Sequence, residues 1–144
     1  MEETLDEYLD NLQEQIFKEA IDAYGDEGFD RWQHPRFRGE IEKPHGFARM
    51  SGTCGDTMEI YLMFKVYRVE QASYITDGCG SSNVCGSFAA EMCHGKMPEE
   101  LLDMSHTDIL NRLGNLPKEE EHCAYLAART VQEAAHDFMT RGLR

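Results

Sequence analysis

The sequence predicts an α+β domain: a three-stranded antiparallel sheet with helices packed on one face, and long helices at the amino and carboxy ends. Three observations carry this. From Thr57 the chain alternates apolar and polar residues with a period of two. Glycine-rich turns flank the strand region, at residues 52–56 and 76–80. The segments before and after repeat their apolar residues at helical spacing, and strands followed by a run of helices is the pattern of layered α+β domains.

Leu5, Tyr8, Leu9, Leu12, Ile16, Ala20 and Ile21 recur at helical spacing, so residues 3–24 read as one amphipathic helix, ended by Gly25 and Gly28. Residues 31–39, with Pro35 and Gly39, read as an irregular, mildly basic loop in which His34 is solvated. Residues 46–51 form a short strand, and Gly52-Thr53-Cys54-Gly55-Asp56 is a small-residue turn. In the strand from Thr57, Met58, Ile60, Leu62, Phe64 and Val66 point one way, and Glu59, Tyr61, Lys65 and Tyr67 the other. Residues 69–76 supply the third strand, and the short connections make a meander. Residues 81–94 then read as a helix stopped by Gly95, with His94 a cation at its carboxy end. Short helices open at Pro98 and near Thr107, the second ended by Gly114. Pro117, followed by Glu119, Glu120 and Glu121, starts a long final helix whose acidic first turn suits the helix dipole.

A chain of 144 residues reads as a single domain over residues 1–144, large enough for one core without disulfide or metal staples. Lys+Arg 14 against Asp+Glu 27 gives a net charge of -13, which argues against nucleic acid or an anionic membrane as partner. No apolar run approaches the roughly 20 residues that span a bilayer. The amino terminus, Met1-Glu2-Glu3-Thr4, is acidic where a targeting segment is basic, so a cytoplasmic location is expected. Five cysteines is an odd number, and a reducing compartment keeps them as thiols. The question becomes one of metal or sulfur chemistry.

Cys79 sits between Gly78 and Gly80, after a strand and before a helix. The glycines give the backbone access to unusual dihedrals and leave the sulfur uncovered, while the helix amides favour the thiolate. Such a cysteine can be a nucleophile, a metal ligand or a sulfur acceptor. Cys54, two residues before Asp56, and Cys123, directly after His122, also lie at ends of elements, where ligands gather. Three thiolates with Asp56 or His122 make a soft-to-borderline set suited to zinc or to iron with sulfide. Cys85 and Cys93 lie among Val84, Phe88, Ala89 and Met92 and read as core. His106 has no evident partner. A thiol enzyme with Cys79 as nucleophile and His122 as base is the rival from another class.

Gly52-Thr53-Cys54-Gly55-Asp56, Thr76-Asp77-Gly78-Cys79-Gly80-Ser81 and Glu121-His122-Cys123-Ala124 together resemble the iron–sulfur cluster assembly scaffold family, that of IscU and the amino-terminal domain of NifU. Supporting stretches are His34-Pro35-Arg36, Gly95-Lys96, Asp108-Ile109-Leu110 and Leu116-Pro117, so the resemblance runs from about residue 33 to 135. It implies a scaffold rather than an enzyme, with a cluster held by Cys54, Cys79 and Cys123, a labile Asp56, and His122 as alternative ligand. The same three cysteines would accept sulfur. A 2Fe–2S cluster is the first expectation and 4Fe–4S the second, with zinc able to occupy the site in isolated protein. The resemblance also implies as partners a pyridoxal-phosphate cysteine desulfurase, apo acceptor proteins, a ferredoxin, and a second copy through a shared cluster. Two departures stand out. Where the family's chaperone-recognition segment often reads Leu-Pro-Pro-Val-Lys, this chain has Leu116-Pro117-Lys118-Glu119-Glu120, so Glu120 takes the lysine position and chaperone-assisted delivery does not follow from the resemblance. The chain also ends at Arg144, as a stand-alone scaffold would. The zinc-dependent sulfur acceptors of the SufU type carry an insertion before the third motif. The 43 residues from 80 to 122 show none.

Overall fold

Alternation from Thr57 builds the central strand of the sheet. In the computed structural model, which describes residues 3–141, β1 (Gly46–Ser51), β2 (Thr57–Lys65) and β3 (Arg68–Thr76) form an antiparallel meander in the order β1-β2-β3. Met58, Ile60, Leu62 and Phe64 are buried towards the helices, each side chain contributing about 1.5–3 kcal/mol by leaving water. α2 (Gly80–Cys93) packs on β3, and α5 (Glu121–Arg141) lies across β1 and β2 and against α2. α3 (Pro98–Leu102) and α4 (His106–Leu113) pack on α5. The three-stranded sheet and its helical layer agree with the fold class read from the sequence.

Three expectations change. α1 runs from Leu5 to Gln33, well past Gly25. Gly25 does leave helical geometry (φ 76°, ψ 176°), but the chain resumes its helix after one kinked residue, so Arg31, Trp32 and Gln33 are helical rather than loop. A Thr4–Glu7 capping box opens the helix. Of its apolar stripe, only Ala20 is buried. Leu5, Tyr8, Leu9, Leu12, Ile16 and Ile21 stay exposed.

Val66 does not continue the buried face of β2. Lys65 pairs with Arg68, and Val66 and Tyr67 make the two-residue turn between them, both at positive φ and with Val66 90% exposed. Finally, Pro117 opens a short 3₁₀ turn (Lys118–Glu120), and α5 proper begins at Glu121. The loop after α1 also has work to do: Gly39 N–H donates to Tyr74 O and Tyr74 N–H to Phe37 O, so it covers the outer edge of β3.

Candidate metal centre

The meander fixes where the chemistry gathers. Pairing Ser51 with Thr57 and Met58 with Thr76 puts the β1–β2 turn and the end of β3 at the same edge of the sheet. Side chains then lock the two turns together. Asp77 Oδ1 accepts the Thr57 N–H at 2.7 Å, and Thr76 Oγ1 donates to the Thr57 carbonyl at 2.6 Å while accepting the Gly78 N–H at 3.1 Å. The Thr57 N–H holds the Asp77 carboxyl below its ordinary range. α5 starts beside this edge.

Three overlapping donor sets result, each with its ligand atoms within 4.8 Å of one another. Cys54, Asp56 and His122 form one; Asp56, Cys79 and Cys123 the second; Glu120, His122 and Cys123 the third. Asp56 joins the first set to the second, His122 the first to the third, and Cys123 the second to the third. The structure therefore brings Cys54, Asp56, Cys79, His122 and Cys123 into one neighbourhood. Among the described residues no single set holds all three sulfurs. Sulfur, carboxylate and imidazole donors at this spacing suit zinc or iron.

The glycines around Cys79 serve a purpose other than the expected one. Neither Gly78 nor Gly80 has positive φ. A Cβ at Gly78 would collide with Ser82 and stand 2.7 Å from Asp56 Oδ2, and one at Gly80 would stand 2.5 Å from Trp32 Nε1. Their smallness lets Asp56 on one side and α1 on the other approach the Cys79 turn. Cys79 is the amino-terminal cap residue of α2, yet its side chain makes no capping hydrogen bond.

Exposure divides the thiols. Cys54 and Cys79 are exposed, while Cys85, Cys93 and Cys123 are buried. Cys85 and Cys93 lie in the apolar core. Burial drives the Cys85 thiol far up and the Cys93 thiol up to about 12. Cys123 is only 1% exposed, and its thiol is also pushed up to about 12, by burial first and by the negative groups at Cys79 and Glu120, against a lowering contact from Ser82. At Cys123 the first turn of α5 faces inward, where desolvation disfavours the thiolate.

Three neighbours escaped the sequence reading. The Ser82 hydroxyl donates to Asp56 Oδ2 at 3.1 Å and lies 3.4 Å from Cys123 Sγ, bridging two candidate ligands. Glu120 Oε2 is 3.9 Å from Cys123 Sγ. Tyr24 reaches from α1 to Ser81, 3.0 Å between hydroxyls, and its own pKa is raised by burial, with a smaller push from nearby Cys79, Glu120 and Cys123. Only the unusual glutamate at the expected lysine position offered a signal in the sequence. His122 Nδ1 lies 3.1 Å from the Glu119 carbonyl. Donation there leaves Nε2 free to bind a metal.

The other histidines lie elsewhere. His34 is exposed near Asp30. His94 links the Ala90 carbonyl of α2 to the Ala72 amide of β3. His106 has a partner after all, stacking on Tyr125 with ring centroids 3.7 Å apart.

Residues 23–144 match the model of the NifU-like N terminal domain family. The iron–sulfur cluster assembly scaffold protein IscU 1 of Archaeoglobus fulgidus is 37% identical over 82% of this chain and 78% of its own length. The IscU scaffold of Azotobacter vinelandii is 31% identical over 81% of this chain and 94% of its own. Among solved structures, the N-terminal NifU-like protein of Brucella abortus shares the fold with a TM-score of 0.64 at 17% identity, over 84% of this chain and 97% of that one. The helical arm before residue 23 lies outside the family match, while all three donor sets lie inside it, and on this evidence the chain belongs to the NifU-like N-terminal domain family.

Proposed function

We propose that this chain is an iron–sulfur cluster assembly scaffold that builds a labile cluster on Cys54, Cys79 and Cys123 and passes it on. The observation that carries this is the gathering of three sulfurs, two carboxylates and one imidazole, in overlapping sets, at a sheet edge. Asp56 serves as the weak fourth ligand and His122 as its alternative. A carboxylate holds iron less firmly than a thiolate, which suits a cluster that must leave. The cargo is a 2Fe–2S cluster first, with 4Fe–4S as a second form.

Sulfur arrives as a persulfide from a pyridoxal-phosphate cysteine desulfurase. Its reduction to sulfide takes an electron pair, which a ferredoxin supplies. Cys54 and Cys79 are open to such a donor, whereas Cys123 accepts sulfur only once the start of α5 moves. Apo-proteins take the finished cluster. The chain generates no sulfide itself and so acts as a scaffold and not an enzyme, as one domain in the cytoplasm. Two copies can share one cluster between their exposed cysteines.

Anaerobic reconstitution with ferrous iron, cysteine and a cysteine desulfurase, followed by transfer to an apo-ferredoxin, tests this reading. The expected result is a labile, transferable cluster that persists longer in Asp56→Ala. Tight zinc with no cluster, and persulfide on a single cysteine, would replace it with a zinc-bound sulfur acceptor. Turnover by metal-free protein that depends on Cys79 alone would point to a thiol enzyme.

A further inference from the structure

We propose that Glu120 is a metal ligand of this chain and that, with His122 and Cys123, it forms a loading station for a single divalent cation beside the cluster site. The inference rests on the scaffold reading for its purpose, but its evidence is separate. Glu120 is half-buried, and it forms no ion pair with any described residue. Its Oε2 stands 3.9 Å from Cys123 Sγ. Its neighbours Glu119 and Glu121 belong to no donor set, so this is a directed carboxylate and not an acidic patch. Glu120 closes the 3₁₀ turn directly before α5, whose first turn carries His122 and Cys123.

The chemistry of this set differs from that of its neighbour. Oxygen, nitrogen and one sulfur form a harder set than the carboxylate and two thiolates of Asp56, Cys79 and Cys123. Ferrous iron, a borderline cation that arrives hydrated, meets a set with the greater share of oxygen and nitrogen first; Cys54, Asp56 and His122 offer the same donor types, but only the Glu120 set shares its sulfur with the set of Asp56 and Cys79. Cys123 belongs to both sets. A cation therefore passes from one to the other by exchanging Glu120 and His122 for Asp56 and Cys79 around a fixed Cys123–metal bond. No electron moves; the Cys123 proton leaves to solvent on loading and the Cys79 proton on transfer, each as its sulfur–metal bond forms. A lysine at position 120 would repel the incoming cation, so this entry route is a property of chains with a carboxylate here.

The test uses the full chain, metal-free and reduced, with no sulfide and no sulfur donor. Cobalt(II), a spectroscopic stand-in, is added up to one equivalent, and the thiolate-to-metal absorption and X-ray absorption edge count the sulfur ligands. Ferrous iron is then titrated anaerobically. The expected result is a first equivalent bound through one sulfur and a shell of oxygen and nitrogen, with Glu120→Gln weakening it at least about 10-fold. Glu119→Gln removes the same charge without removing a ligand and leaves the affinity as it was. Two or more sulfurs on the first equivalent, or equal weakening by the two variants, would overturn the proposal. Circular dichroism separates a misfolded Glu120→Gln from an informative one, and Glu120→Asp, which keeps the carboxylate, is expected to recover part of the affinity if folding is lost. Cluster assembly is not measured here, so failure of this proposal leaves the scaffold reading standing, and the reverse also holds.

Discussion

Arg31 and Cys123 are both 1% exposed, yet one has nearly all the partners it needs and the other does not. The Arg31 guanidinium donates to Glu91 Oε1 at 2.6 Å and to Ser87 Oγ at 3.2 Å, and it lies over the Phe88 ring at 4.2 Å. Arg112 stacks on the same ring at 4.9 Å and binds Glu27 through two contacts of 2.8 and 2.9 Å. Among the buried side-chain nitrogens and oxygens of the described residues, only Arg31 Nε is left without a partner. This cluster joins α1, α2 and α4, and its charges are matched. Around Cys123 the groups that gather are thiols, carboxylates and an imidazole. The first region holds the fold. The second is a set of donors completed only by something from outside, and the difference separates structural from functional polarity in this chain.

The contrast is easiest to break by mutation. Arg31→Met leaves Glu91 with Arg112 alone and removes one of two cations over Phe88, and is expected to cost about 2 kcal/mol of stability in urea unfolding. Cys123→Ser should cost only about 1 kcal/mol. If the serine variant unfolds as readily as the methionine one, the two regions do not differ in kind.

Metal sharpens the comparison next. Zinc at about 100 times its dissociation constant should stabilise the reduced chain by about 2.7 kcal/mol, with Arg31→Met responding as strongly as the unaltered protein and Cys123→Ser, which removes the sulfur common to two donor sets, the least. Calorimetric scans with and without zinc check it. The chain should stay folded under chelation, since its core does not depend on the site.

A smaller effect concerns the buried thiols. Cys93 and Cys123 keep their protons to about pH 12 when folded, against an ordinary value of 9.0. In the unfolded chain they lose them near 9, so the folded state binds more protons between these values. The stability they contribute is complete below pH 9 and falls as pH rises towards 12, by about 1.4 kcal/mol per unit for a fully buried thiol. Stability curves of the metal-free protein across that window, repeated with Cys93→Ala, should show the decline become shallower.

Much of this was legible in the sequence for local reasons. Period-two alternation found β2 and the turns found its neighbours, because a half-buried strand writes its geometry into successive residues. Cys54, Asp56 and Cys79 were visible for the same reason, each in or beside a turn of small residues, and Cys123 by its place beside His122 at the start of a helix. What failed was non-local. The helix resumes beyond Gly25 because Arg31 finds Glu91 and Ser87, which lie 60 and 56 residues away along the chain. Val66 has the composition of a strand residue, but the register between Lys65 and Arg68 places it in a turn. Ser82 and Tyr24 entered the candidate site only through packing of α1 and α2, and no spacing could announce that.

The most direct test of the central claim compares all five cysteines in one experiment. Cys54, Cys79, Cys123, Cys85 and Cys93 are each replaced by serine, or by alanine for the two in the core, and each variant is reconstituted anaerobically with iron, cysteine and a desulfurase. Visible absorption, Mössbauer spectra and counts of iron and sulfide are the readouts. Loss of cluster at Cys54, Cys79 and Cys123, with retention at Cys85 and Cys93, is the predicted result. A cluster that survives replacement of Cys54, Cys79 or Cys123, or that disappears with Cys93 in a folded chain, would contradict the account.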